Sequence, residues 1–134
     1  MKKSEVKIED NSAAIKKELE AAIIRGLKAI GEEAEGYAKK DCPVDTGRLR
    51  ASITYAVEGY QSAPGREAES GDSEKHGEPD KNSLVLGTNV EYAEMQEFIE
   101  SFRHTSGKAH FLRDAISTHN KKYESIMKAA LKAK

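Results

Sequence analysis

Asp41-Cys42-Pro43-Val44-Asp45-Thr46-Gly47-Arg48-Leu49-Arg50-Ala51-Ser52-Ile53 decides the fold, because a helical pattern ends at it and a strand pattern starts after it. Pro43 disfavours the α conformation at Cys42 and cannot continue helix hydrogen bonding. Asp45 and Thr46 bring side chains that bond to nearby backbone, and Gly47 brings a permissive φ. Pro43, Asp45, Thr46 and Gly47 together therefore predict a rigid structural corner. Taken alone, the same stretch also reads as an ordinary helix-to-strand connection.

Upstream of the corner, Ile15, Leu19, Ala22, Ile23, Gly26, Ile30, Ala34 and Tyr37 recur at threes and fours and predict one long amphipathic helix from about Asn11 to Lys40. Its opposite face carries Lys16, Lys17, Glu20, Lys28, Glu32, Glu35 and Lys39, a mixed set that usually means solvation. Gly26, Gly31 and Gly36 interrupt it at a spacing that keeps no single face, and read as points of close packing or bending. Residues 1–10 are charged and without helical period, and are expected to form a flexible N-terminal arm; residues 11–134 form a single domain.

Downstream, Ile53 to Tyr60 alternates with period two, with Ile53, Tyr55 and Val57 on one side of a half-buried strand. Gln61 to Asn82 loses periodicity, gathers glycines and prolines, and has a local charge of −3; it predicts a long mobile loop. Ordering of that loop by a partner and a plain disordered insert are both compatible with its composition. Ser83 to Val90 then reads as a second strand, antiparallel to the first. Glu91 to Phe102 places Tyr92, Met95, Phe98, Ile99 and Phe102 on one helical face, with Glu94, Glu97 and Glu100 outside it. That aromatic face either closes the subunit's own core or packs on a neighbour. From Phe111 an apolar stripe predicts a C-terminal helix of about twenty residues with a local charge of +4, part of which suits the helix dipole.

The fold expected from these elements is α+β. It has a long N-terminal helix, a small antiparallel β-sheet with a long hairpin loop, a short amphipathic helix, and a C-terminal helix packed on one face of the sheet.

The chain has 134 residues, 37% hydrophobic and 34% charged, with no Trp and a net charge of −1. That suffices for one domain with a lean core, a composition that suggests either much solvated helix surface or apolar area completed by neighbouring subunits. A balanced charge gives no global field to recruit nucleic acid or membrane. One cysteine excludes an internal disulfide, and no apolar run approaches a membrane span or a signal peptide, so a soluble chain made in the cytoplasm is expected. No Gly-rich phosphate loop, nucleophile elbow or metal-ligand spacing of the four histidines is present, so no catalytic residue, metal or cofactor is assigned. Cys42 beside Pro43 reads as a small buried residue rather than a nucleophile.

Pro43 to Ile53 closely resembles the signature P-V-D-T-G-x-L-R-x-S-I of tail-completion, or head–tail joining, proteins of long-tailed bacteriophages and prophages. Asn89-Val90-Glu91-Tyr92-Ala93 with Glu97-Phe98 resembles that family's N-x-x-Y-A-x-x-x-E-F/Y, and Phe111-Leu112-Arg113-Asp114-Ala115-Ile116 its P-F-L-R-P-A-L. Ile99 stands where glycine is usual, and Ala109, His110 and Asp114 at positions where prolines are common. The resemblance implies a structural, non-enzymatic component of the virion tail or neck. It would assemble as a homo-oligomeric ring, a hexamer, contact other tail and head–tail connector proteins, and contact DNA non-specifically in a channel. The possible subunit interface comprises Arg48, Arg50, Glu94, Glu97, Phe98, Phe102 and Arg113, with acidic and basic patches meeting head to tail. The competing reading is a monomeric module that binds protein or nucleic acid through the acidic loop or the basic C-terminal helix.

Overall fold

The computed structural model describes residues 12–43, 47–75, 77–91, 93 and 110–132. The expected arm at 1–10, the corner residues Asp45 and Thr46, and the aromatic segment with Tyr92, Glu94, Glu97, Phe98 and Phe102 lie outside the described residues. The chain forms α1 (Ser12–Asp41), α2 (Arg48–Ser52), β1 (Thr54–Val57), β2 (Tyr60–Gln61), β3 (Val85–Gly87), α3 (Phe111–Ser117) and α4 (Asn120–Lys132). The α+β expectation holds: a long N-terminal helix and C-terminal helices pack against a small antiparallel sheet.

Ile15 and Leu19 at the start of the stripe read along α1 are exposed, whereas from Ala22 on it lies on the buried edge, with Ile23 and Tyr37 partly buried and Ala22, Gly26, Ile30, Ala34 and Ala38 buried. These residues are small, so neighbours approach closely. A Cβ on Gly26 would lie 2.6 Å from Met127 Sδ of α4, and one on Gly31 would fall inside the Tyr55 ring of β1. Two of the three helix glycines are thus close-packing points, while among the described residues nothing lies within 4 Å of the third, Gly36.

The polar side of α1 is not simply solvated, because the sheet lies partly over it. Glu32 accepts a 2.8 Å hydrogen bond from the Tyr55 hydroxyl, Glu35 accepts one from Ser62, and Lys28 sits 4.3 Å from the Tyr60 ring centroid. Burial and the bond to Glu32 push the Tyr55 phenol well above its ordinary pKa, so it stays a donor.

The first strand is shorter than its alternating run. Glu58 and Gly59, with Gly59 at φ +80°, make a two-residue turn that folds the chain back as β2. The sheet order is β2-β1-β3, and β3 pairs antiparallel with β1 as the second strand was expected to do. The connection from β2 to β3 passes from one sheet edge to the other. It covers the outward face of β1, so Thr54 and Ala56 are buried as well as Tyr55 and Val57. The half-buried strand of the sequence reading is therefore buried on both faces.

The single C-terminal helix expected is two. At Thr118 both the backbone N–H and the hydroxyl donate to Asp114 O, and His119 stacks on Tyr37 at 3.6 Å. Such side-chain competition for backbone favours a break between α3 and α4. Tyr123 of α4 packs on Ile30 and Ala34 and donates its hydroxyl to Ala115 O; burial pushes that phenol up to about 12.

Alanine at Gly31 gains helix propensity of about 1 kcal/mol but overpacks against Tyr55, and a net loss of about 1–3 kcal/mol is expected. Gly36→Ala, in open space, is expected to stabilise by up to about 1 kcal/mol. Urea unfolding of the two variants should show midpoint shifts of opposite sign; equal signs would contradict the packing described for Gly31.

Candidate functional site: the corner and its clamp

Beyond Cys42, whose N–H still reaches Ala38 O at 2.9 Å, Pro43 leaves the helix. Gly47 then takes a left-handed φ of +86°, which suits glycine, and its carbonyl accepts from Ala51 N at 2.9 Å to open α2. This brings Leu49 and Ile53 into one core with Ala38, Cys42, Val90, Ala93, Phe111 and Ala115. All three sequence segments quoted above meet there. Phe111 is fully buried and serves the core, and Cys42 is buried as expected.

The polar half of the corner is built on Arg48. Its Nε and Nη2 bind Asp72 Oδ2 and Oδ1, both at 2.9 Å, in a two-pronged pair. Nε is also 2.6 Å from Glu69 Oε2, and Nη1 is 3.2 Å from Glu91 Oε1. The Asp72 side chain is only 4% exposed, against 24% for Arg48. The guanidinium holds the Asp72 carboxyl below the usual aspartate range despite the opposing effect of burial, and the same bond raises Arg48. Glu91 is lowered too, first by its own backbone N–H and then by Arg48.

Hydrogen bonds extend this clamp along the long loop. Asn89 donates its backbone N–H to Asp72 O and its amide to Gly71 O and Glu74 O. Ser73 donates to Ser52 O, and the Ser52 hydroxyl donates to Leu49 O at 2.6 Å. Thr88 joins through a hydroxyl bond to Ser52 and accepts from Val90 N.

Of the residues singled out in the sequence, Pro43, Gly47 and Arg48 converge at this corner. Arg50 stands exposed on α2. Arg113 lies on α3, exposed and 3.2 Å from the carboxylate of Asp114. Glu94, Glu97, Phe98 and Phe102 lie outside the described residues. Asp72 and Glu69 were not foreseen, since nothing marks them among the acids of the loop. The basic C-terminal helix spends part of its charge internally, through Lys122–Glu33 and Lys128–Glu124, each at 3.2 Å. Among the described residues no group of His, Cys, Asp and Glu could hold a metal, and no helix is long and apolar enough to cross a membrane. The arrangement is suited to holding backbone segments together.

A family model described as "Bacteriophage HK97-gp10, putative tail-component" matches residues 7–98. The match takes in the corner and the Asn89 segment and ends before Phe111. Neither the curated proteins nor the solved structures gave a significant match.

A carboxyl depressed in the folded state stabilises above its unfolded pKa, and that contribution disappears as pH falls through the folded value. The stability difference between wild type and Asp72→Asn is therefore expected to be full near neutrality and to shrink below pH about 4. Arg48→Met, which strands a buried carboxylate, should lower the Tm far more than Lys128→Ala at an exposed pair. Thermal unfolding from pH 7 to pH 3 tests both; a pH-independent Asp72→Asn difference would remove the clamp from the stability argument.

Proposed function

The chain belongs to the HK97-gp10-like family of phage tail components, and from that membership we propose that it is a structural protein of the virion. In this reading it is made in the bacterial host and forms a hexameric ring at the head-proximal end of the tail. There it contacts other tail and connector proteins and helps join tail to head. The observation that carries the reading is the family match across α1, the corner and the sheet, the elements that build the subunit.

Surface composition supports assembly. Ile15, Leu19 and Val85 are 62%, 50% and 53% exposed, and Ile116 and Leu131 are also open. A small lean-cored subunit gains by covering such residues against a neighbour. The two arginines of the corner divide their work: Arg48 is engaged within the subunit and Arg50 faces outward. Internal pairing of Lys122 and Lys128 weighs against the C-terminal helix as a phosphate-binding stripe.

Light scattering coupled to size exclusion, over a concentration series at low and moderate salt, is expected to show a closed ring or a monomer that converts to one. A strict monomer under all conditions would overturn the ring.

A further inference from the structure

The long loop touches α2 at one point of unusually close approach. Gly65 N donates to Ala51 O at 2.8 Å, and a Cβ on Gly65 would lie 2.9 Å from the Cβ of Ala51. A side chain there would push the loop away, so glycine is required for the contact. The consequence is that the backbone positions carrying two arginines are held side by side. Arg50 directly precedes Ala51, Arg66 directly follows Gly65, and both are exposed.

Neither arginine has a carboxylate within ion-pair distance among the described residues, whereas Arg48, two positions away, has three. Glu67, next to Arg66, lays its side chain over Gly47 instead. The interior of the corner is thus supplied with acids, and its outer arginines are left for an external one.

Unpaired acids stand at the other end of the sheet. β1 leaves the corner at Ile53 and ends at the turn formed by Glu58 and Gly59. Glu58 is exposed there and has no ion pair among the described residues, and the same holds for Asp80, on the loop stretch that leads into β3. The nearby cation Lys81, whose charge Glu58 also favours, makes its ion pair with Glu20 at 2.9 Å. A two-fold contact that used the corner of both copies would set arginine against arginine. A head-to-tail contact sets arginine against carboxylate, and head-to-tail contacts are those that close into rings.

We propose that Arg50 and Arg66 of one subunit receive Glu58 and Asp80 of the next copy around the ring. The proposal rests on the assembly reading above and specifies which two surfaces of the subunit meet. Planar guanidinium groups held at a fixed backbone spacing suit two-oxygen recognition of carboxylates, and the exposed pairs give the contact a salt dependence.

The test uses Arg50→Glu/Arg66→Glu, Glu58→Lys/Asp80→Lys, and their equimolar mixture, with circular dichroism to verify that each is folded. Each variant alone is expected to need at least about tenfold more protein than wild type to form the ring. The mixture should assemble near the wild-type concentration, because each reversed surface meets its reversed complement and each original surface its original one. Arg50→Lys/Arg66→Lys, which keeps the charge, should fall between. Rings formed by either reversed variant as readily as by wild type, or a mixture that stays dissociated, would overturn the pairing while leaving the ring itself standing. A wild-type chain that never assembles would remove the assembly reading, and this pairing with it.

Discussion

Phe111 buried among Leu49, Ile53, Val90 and Ala93 is the constraint on which the subunit depends. These residues come from three separated segments, and none could bury its apolar side chains alone. Their meeting fixes where α1 ends, where β1 begins and where the C-terminal helices attach. Apolar burial supplies the driving force, while the corner supplies direction: Pro43 ends one helix and the left-handed Gly47 starts the next. The clamp of Arg48 on Asp72 then draws the loop onto this frame. Removing a core side chain would unsettle every element, whereas removing the clamp would first affect the loop.

Much of this was legible in the sequence, because the relevant signals are local. The period of α1 comes from side chains that share one face, and the corner comes from residues with narrow backbone preferences. Phe111, Val90 and Leu49 could be associated only through the resemblance, since nothing in their spacing states that they touch. The clamp was half legible. Arg48 and Asn89 lay in recognised segments, but Asp72 is one carboxylate among several in a loop, and only tertiary structure selects it. The split between α3 and α4 was hidden for a similar reason: it depends on Thr118 turning back to Asp114 O and on His119 reaching Tyr37. Burial of Thr54 and Ala56 also escaped the period-two reading, which assumes one wet face and cannot anticipate a loop folded over it.

The helix α1 serves two partners at once. Its small-residue edge receives α4 at Gly26 and the Tyr55 ring at Gly31, while Glu32 and Glu35 of its polar side bond to the strands. A mixed-charge helix face can thus be structural through hydroxyl groups, here those of Tyr55 and Ser62, as well as through ion pairs such as Glu33–Lys122 and Glu20–Lys81. The same economy appears at the corner, where neighbouring arginines differ because, among the described residues, Arg48 but not Arg50 is met by acids of its own chain.

The sheet order places the earliest strand in the centre. One side of β1 is completed by the adjoining hairpin, a closure over two residues that forms on the microsecond scale. Its other side waits for β3, which arrives only after the whole crossover has been laid down, and the core beneath waits longer still for Phe111. Contacts so far apart in sequence carry a large loop-closure entropy and slow the search for the native state. During that interval the β3 side of β1 is an unpaired edge, open to the same edge on other nascent chains. That interval sets folding in competition with premature association, and a charge-rich composition favours folding in that competition.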